Sequence, residues 1–127
     1  MKENWGSYLV VVDGSLPGPG SNMGYSTIAG HSNLDIRKET VEGAAAVVAV
    51  GTCAAFGGLP RAFPNPTGAV AVQDIITNKP IINVSGCPPI PTVITGVLAQ
   101  YLTFGTLPEM DDYKRPLAPS LIHISQP

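Results

Sequence analysis

Residues 45–53 read AAVVAVGTC and residues 81–87 read IINVSGC, so two apolar runs each end in glycine shortly before a cysteine. Continuous apolar runs rich in Val and Ile are typical of strands in a parallel sheet that is covered on both faces. Tyr8–Val12 (YLVVV) is a third such run and stops at an Asp-Gly pair. The three strands are predicted to end at Gly14, Gly51 and Gly86.

Three helices are predicted between and after these strands. The first runs from Leu34 to about Gly43, with Asn33 as its N-cap. The second has Thr67 as its N-cap and runs to about Thr77. The third runs from Pro91 to about Gly105. The third has an apolar face, because Val93, Val97 and Tyr101 recur at helical spacing. Alternation of strands and helices predicts an α/β fold, a parallel sheet with helices on both faces.

The two cysteines follow two neighbouring strands of the predicted sheet. Cys53 lies two residues beyond Gly51, and Cys87 lies one residue beyond Gly86. In such sheets ligands bind beyond the carboxyl ends of the strands, which lie about 5 Å apart, or about 10 Å with one strand between them. Thiolates typically hold iron–sulfur clusters, usually four per cluster. From the cysteines alone, a disulfide, two buried thiols and half of a metal site all remain open.

Composition limits the classes of function. The 127 residues amount to one domain, and 44% hydrophobic against 13% charged residues argues against disorder. A surface so poor in charge is typical of a subunit held against a partner. The net charge of −2 gives no electrostatic reason to expect nucleic acid. No transmembrane segment is predicted, because the longest uncharged apolar stretch, Ala44–Val50, is far shorter than the roughly 20 residues that a spanning helix needs.

Longer motifs surround the cysteines. They are GTCAAFGGLP (51–60), PNPTGAV (64–70) and KPIINVSGCPPIP (79–91), with VVDGS (11–15) upstream and YLTFG (101–105) and LPEMD (107–111) downstream. In this order they closely resemble the small subunit of nickel–iron hydrogenases, and the likeness runs from about Lys2 to His123. The resemblance implies a flavodoxin-like domain that binds the proximal [4Fe–4S] cluster and takes electrons from the nickel–iron centre of the large subunit.

The resemblance also implies roles for individual residues. Cys53 and Cys87 would be two of the four cluster ligands, and the other two would belong to a CxGC motif on an earlier strand and loop, which this sequence lacks. His123 corresponds to a histidine ligand of the distal cluster. The residues that would surround the proximal cluster are Gly14, Gly51, Thr52, Gly86 and Pro88. Glycine at position 58, where oxygen-tolerant members carry cysteine, implies the oxygen-sensitive type.

Residues 1–127 are therefore interpreted as a single partial domain, lacking the family's first strand and its CxGC loop, with an irregular tail over residues 109–127. The implied partners are the large subunit and an electron acceptor such as a cytochrome or a ferredoxin. The resemblance implies a periplasmic or membrane-associated enzyme, although the N-terminal MKENWGSY lacks the apolar core of a secretory signal. The isolated chain is expected to be inactive.

Two other hypotheses stay open. The first is the cluster-bearing subunit of a quinone-reducing, complex I-like enzyme; such proteins usually carry adjacent cysteines in their first motif, and the PNPTGA run favours the hydrogenase. The second is a non-catalytic, flavodoxin-like remnant of a truncated gene.

Overall fold

The computed structural model describes residues 8–18 and 25–117. The strands are β1 (Tyr8–Asp13), β2 (Leu16–Pro17), β3 (Thr27–Ile28), β4 (His31–Ser32), β5 (Ala44–Val50), β6 (Ala69–Val70) and β7 (Ile81–Val84). The helices are α1 (Asn33–Glu42), α2 (Thr52–Phe56), α3 (Gly58–Arg61), α4 (Val72–Ile75) and α5 (Pro91–Phe104). The three predicted strands form one parallel sheet in the order β1-β5-β7, so the α/β prediction is confirmed.

Helices cover both faces of this sheet. Successive residues of a strand point to opposite faces, and β5 divides its side chains between two apolar clusters accordingly. On one face, Val47 and Ala49 pack with α1, α2 and α4, whose contributions to this cluster are Val41, Ala54, Ala55 and Val72. On the other face, Val48 packs with α5 through Val97. Burial of these alternating side chains fixes the register of β5, because a slip of one residue would exchange the two faces.

The outer strand β1 is less covered than the sequence predicts. Val12 is buried, but Val11 is 51% exposed, so the expectation of cover on both faces is wrong for this strand. Val11 pairs with Val48 in the register and therefore faces the side of α5. The apolar cluster on that side is built from β5, β7 and α5, and within the described residues it does not extend over Val11.

The predicted helix from Thr67 to Thr77 is wrong in its first half. Ala69–Val70 pairs with Leu16–Pro17 as a short antiparallel ribbon, and only Val72–Ile75 is helical. The cause is Asn65, whose side-chain oxygen accepts from the Ala69 N–H at 2.7 Å and whose amide donates to the Ala69 carbonyl at 3.1 Å. Both backbone groups of Ala69 are hydrogen-bonded to the Asn65 side chain, so the backbone is extended there and does not form the first helical turn.

The other two predicted helices are confirmed with small shifts. The N-cap of α1 is Ser32 rather than Asn33, because the Ser32 hydroxyl accepts from the Asp35 N–H at 3.2 Å. α5 ends as predicted at Gly105, which has φ +67° and donates its N–H to the Tyr101 carbonyl. The stretch after Gly51, predicted as loop, instead contains the short helices α2 and α3. None of the helices in the described ranges is long and apolar enough to cross a membrane.

The free edge of β7 is covered by the turn around residues 110–116. The Asn83 N–H donates to the Lys114 carbonyl at 2.8 Å, and the Asn83 amide donates to the Tyr113 carbonyl at 2.9 Å. Asp111 holds the turn together by accepting from Arg115, and this hydrogen bond lowers the pKa of Asp111 from its ordinary value. Residues 109–117 contain no helix or strand, but they are tied to the sheet; the division of the chain into one partial domain with a tail stays a prediction.

Replacing Asn83 should weaken the attachment of this turn to the sheet, because the side-chain hydrogen bond is lost while the backbone bond to Lys114 remains. Asn83 is fully buried, and Asn83→Ala removes its amide hydrogen bond to Tyr113 and leaves that carbonyl unpaired. We expect a loss of about 1–3 kcal/mol in the free energy of unfolding, measured by denaturant titration. The control is Asn78→Ala, at an exposed position, which should change stability by less than about 0.5 kcal/mol. Equal effects of the two variants would contradict the role of Asn83.

Candidate functional site

The carboxyl ends of β5 and β7 are joined by hydrogen bonds directly before the two cysteines. The Gly51 N–H donates to the Val84 carbonyl at 2.8 Å, and the Thr52 N–H donates to the Gly86 carbonyl at 2.9 Å. In return, the Gly86 N–H donates to the Thr52 hydroxyl at 3.0 Å. Thr52 and Gly86 are therefore paired reciprocally, and each is followed immediately by a cysteine.

The two cysteines directly follow these paired strand ends at one edge of the sheet, as the sequence predicts. Cys53 is in the first turn of α2 and is half-buried, whereas Cys87 is exposed in the loop after β7. Both are free thiols. A partly buried and an exposed thiol on adjacent strand ends can act together as ligands of one soft metal group.

Gly58 leaves room for the sulfur of Cys53. A Cβ atom added at Gly58 would lie 2.6 Å from the Cys53 Sγ and 2.9 Å from its Cα. Real Cβ atoms do not approach other heavy atoms so closely, so any side chain at this position would displace the cysteine. Gly58 also has φ +59°, a conformation that other residues adopt only at a cost. The backbone at Gly58 therefore forms part of the wall around the thiol.

The remaining predicted residues lie at the same edge. Gly51 and Gly86 have φ values of +91° and +121°, and a Cβ at Gly86 would lie 2.9 Å from the Cα of Pro89. Gly86 is thus required by the tight turn that carries Cys87, in which Pro88 is the next residue. Gly14 directly follows β1, has φ +79°, and has open space where a Cβ atom would lie. Thr52 contributes both hydrogen bonds described above.

Two charged residues at this edge were not predicted from the sequence. Asp13 ends β1, and its Oδ1 lies 4.0 Å from the position of a Cβ atom added at Gly51. Arg37 reaches the same place from α1 and donates from Nη2 to the Asp13 carbonyl at 3.0 Å. The available signal was the spacing of Asn33 and Arg37, which lie four residues apart on one helical face and are hydrogen-bonded at 3.1 Å.

Cys53 and Cys87 provide two thiolates, which is half of the four that an iron–sulfur cluster usually binds. Within residues 8–18 and 25–117 no group of three or more His, Cys, Asp or Glu side chains could hold a metal ion. Two thiols that follow hydrogen-bonded strand ends could nevertheless supply two of the four thiolate ligands. His123, the predicted ligand of a distal cluster, lies outside the described residues.

The chain is similar in sequence to a known family of proteins. Residues 1–101 match the family model described as NADH ubiquinone oxidoreductase, 20 Kd subunit. The chain belongs to this family. Within it, the chain is 42% identical over 111 residues to the Hydrogenase-2 small chain of Escherichia coli K12. It is 41% identical over 112 residues to the periplasmic [NiFe] hydrogenase small subunit 1 of Nitratidesulfovibrio vulgaris. The predicted resemblance to the nickel–iron hydrogenase small subunit is confirmed.

Solved structures agree with these relatives. The chain superposes on a chain of the reduced, active Ni–Fe–Se hydrogenase from Desulfomicrobium baculatum with a TM-score of 0.74 and 33% identity, covering 87% of this chain and 46% of that one. Each of the two sequence matches covers 87% of this chain. The same matches cover only 30% of the Escherichia coli protein and 35% of the Nitratidesulfovibrio protein. The chain thus spans about a third of the length of the relatives that it matches.

The recess at Gly58 can be tested with a matched pair of substitutions. Gly58→Ala and Gly105→Ala both place a side chain at positive φ, which costs about 1–2 kcal/mol in each. At Gly105 the new Cβ meets nothing within 4 Å, whereas at Gly58 it collides with Cys53. We expect Gly58→Ala to lower the free energy of unfolding by about 1–3 kcal/mol more than Gly105→Ala, measured by denaturant titration. Equal losses would show that Gly58 is needed for its conformation alone.

Proposed function

We propose that this chain is an electron-transfer part of the small subunit of a nickel–iron hydrogenase, with Cys53 and Cys87 as two thiolate ligands of a proximal [4Fe–4S] cluster. The observation that carries the proposal is the reciprocal pairing of Thr52 with Gly86, which holds the two cysteine-bearing strand ends together. The proposed reaction, hydrogen oxidation or production, is inferred from the relatives, which are named as hydrogenase small chains and subunits.

The chain's own residues hold and surround the cluster ligands. A bound [4Fe–4S] cluster supplies transfer of single electrons. Thr52 and Gly86 fix the spacing of the ligand-bearing turns, and Gly58 leaves the Cys53 sulfur unobstructed. Conversion of dihydrogen into two protons and two electrons belongs to the nickel–iron centre of the large subunit. No general acid or nucleophile is therefore needed in this chain.

The large subunit is the proposed partner at the α2–α3 side of the site. Leu59, which directly follows Gly58, is 86% exposed, and Phe63, two residues after the end of α3, is 99% exposed. Large exposed apolar side chains beside a functional site are typical of an interface. The resemblance also implies that the following loop, residues 65–67, lies near the large subunit. A cytochrome or a ferredoxin is the proposed type of electron acceptor.

A complex I-like cluster subunit is the second candidate function, and the description of the matching family favours it. The hydrogenase names of the individual relatives favour the first. The two functions differ in substrate. A complex containing this chain should reduce an artificial acceptor with dihydrogen if the first proposal is right, and should reduce a quinone with another donor, without using dihydrogen, if the second is right.

Loss of either thiol should remove the cluster. In the complex purified anaerobically with its partner, Cys53→Ser and Cys87→Ser should each lower cluster iron and sulfide content and dihydrogen-dependent acceptor reduction by at least about tenfold. Iron analysis and visible absorption measure the first effect, and an acceptor assay measures the second. Thr95→Ser, at an exposed position of α5, is the control and should leave both unchanged. Full iron content in a variant that combines Cys53→Ser with Cys87→Ser would disprove the ligand assignment.

Loss of the exposed apolar side chains should weaken binding of the large subunit. Phe63→Ala and Leu59→Ala remove large exposed side chains in and just after α3. Truncation of a central interface residue costs about 2 kcal/mol or more, roughly 30-fold in affinity. Retention of the large subunit during affinity purification measures the effect. Leu102→Ala, at a residue of α5 that is 78% exposed, is the control. A loss as great in Leu102→Ala would mean that the α2–α3 side is not the docking surface.

A further inference from the structure

Arg37 is hydrogen-bonded to the carboxyl end of β1. Its Nη2 donates to the Asp13 carbonyl at 3.0 Å, and its Nε donates to the Asn33 Oδ1 at 3.1 Å. Hydrogen bonds on two sides of a planar guanidinium fix its orientation as well as its position. Arg37 therefore ties α1 to the turn at which β1 ends.

The third nitrogen of this guanidinium is enclosed. Nη1 is buried and has no hydrogen-bond partner among the described residues. Burial lowers the pKa of Arg37 from its ordinary value, while the Asp13 carboxylate acts in the opposite direction. Arginine nevertheless stays protonated in proteins. The chain thus keeps a fixed positive charge at this edge, where shielding by solvent is reduced.

The same edge carries the proposed cluster ligands. The Asp13 Oδ1 lies 4.0 Å from the position of a Cβ atom added at Gly51, two residues before Cys53. Gly51 is in turn bonded to Val84, the last residue of β7, which is followed closely by Cys87. The opposite charges of Asp13 and Arg37 therefore lie at the end of β1, next to the end of β5, the strand that Cys53 follows.

We propose that Arg37 is a positioning residue that holds the end of β1 and raises the reduction potential of the iron–sulfur group bound through Cys53 and Cys87. The inference rests on the proposed function. Reduction adds one electron, and hence one negative charge, without making or breaking a bond. A nearby positive charge stabilises the reduced form, so its removal lowers the potential, and removal of the nearby Asp13 carboxylate raises it.

The experiment is a redox titration of the cluster in the complex purified anaerobically with its partner, using dithionite as reductant and electron paramagnetic resonance as readout. Arg37→Gln removes the charge, and Arg37→Lys keeps it while losing the planar fork. Asp13→Asn removes the opposite charge and preserves the carbonyl that accepts from Arg37. The matched control is Lys38→Gln, which removes an equal charge from the next position of α1, in a groove lined by residues 75–78 before the start of β7.

The expected result is a lower midpoint potential in Arg37→Gln, a higher one in Asp13→Asn, and values close to that of the unmodified complex in Arg37→Lys and Lys38→Gln. An unchanged potential in both Arg37→Gln and Asp13→Asn, with cluster content intact, overturns the inference and leaves the proposed function standing. An unmodified complex without a titratable iron–sulfur signal overturns both. If Arg37→Gln does not fold, Asp13→Asn decides the outcome by the sign of its shift.

Discussion

Parallel pairing of β1, β5 and β7 is the constraint on which the rest of the structure depends. Because the three strands run in one direction, their carboxyl ends meet at one edge, and hydrogen bonds from Gly51 and Thr52 to the end of β7 fix how they meet. Side chains that follow the strands are then neighbours, however far apart they lie in the chain. Cys53 and Cys87 are separated by thirty-three other residues, yet they follow two residues that are bonded to each other.

This edge is formed largely by backbone, and that has chemical consequences. Gly51, Gly58 and Gly86 all have positive φ, and a side chain at Gly58 or Gly86 would collide with neighbouring atoms. Because these residues have no side chains, the turns can close tightly and the Cys53 sulfur has room beside Gly58. A thiolate in such surroundings is within reach of main-chain dipoles, which help to set the electronic properties of a bound metal group. The charges of Asp13 and Arg37 add a longer-ranged field to these local dipoles.

The two edge strands of the sheet, β1 and β7, differ in how well they are covered by the rest of the chain. Asn83 ties the turn around residues 110–116 to the outer side of β7, so that its backbone groups are paired. At the other edge, α5 covers one face of β5 and β7 but does not cover β1. Val11 of β1 is therefore about half exposed on that face. Leu59, directly after Gly58, and Phe63, just beyond α3, are exposed as well. This exposed apolar surface accompanies the low fraction of charged residues in the chain, and exposed apolar patches are typical of interaction sites.

The sequence by itself determined the three strands, the parallel α/β class and the delivery of both cysteines to one edge, because apolar runs ending in glycine carry that information locally. Motif likeness determined the family. Tertiary structure alone decided that Asn65 and the ribbon of β2 with β6 replace the start of a predicted helix, that Val11 is exposed, and that Arg37 reaches Asp13. These features depend on side chains meeting across the fold, and such meetings leave no periodic signal in the chain. The pairing of Thr52 with Gly86 is of the same kind, since 34 positions separate its members and only the sheet brings them together.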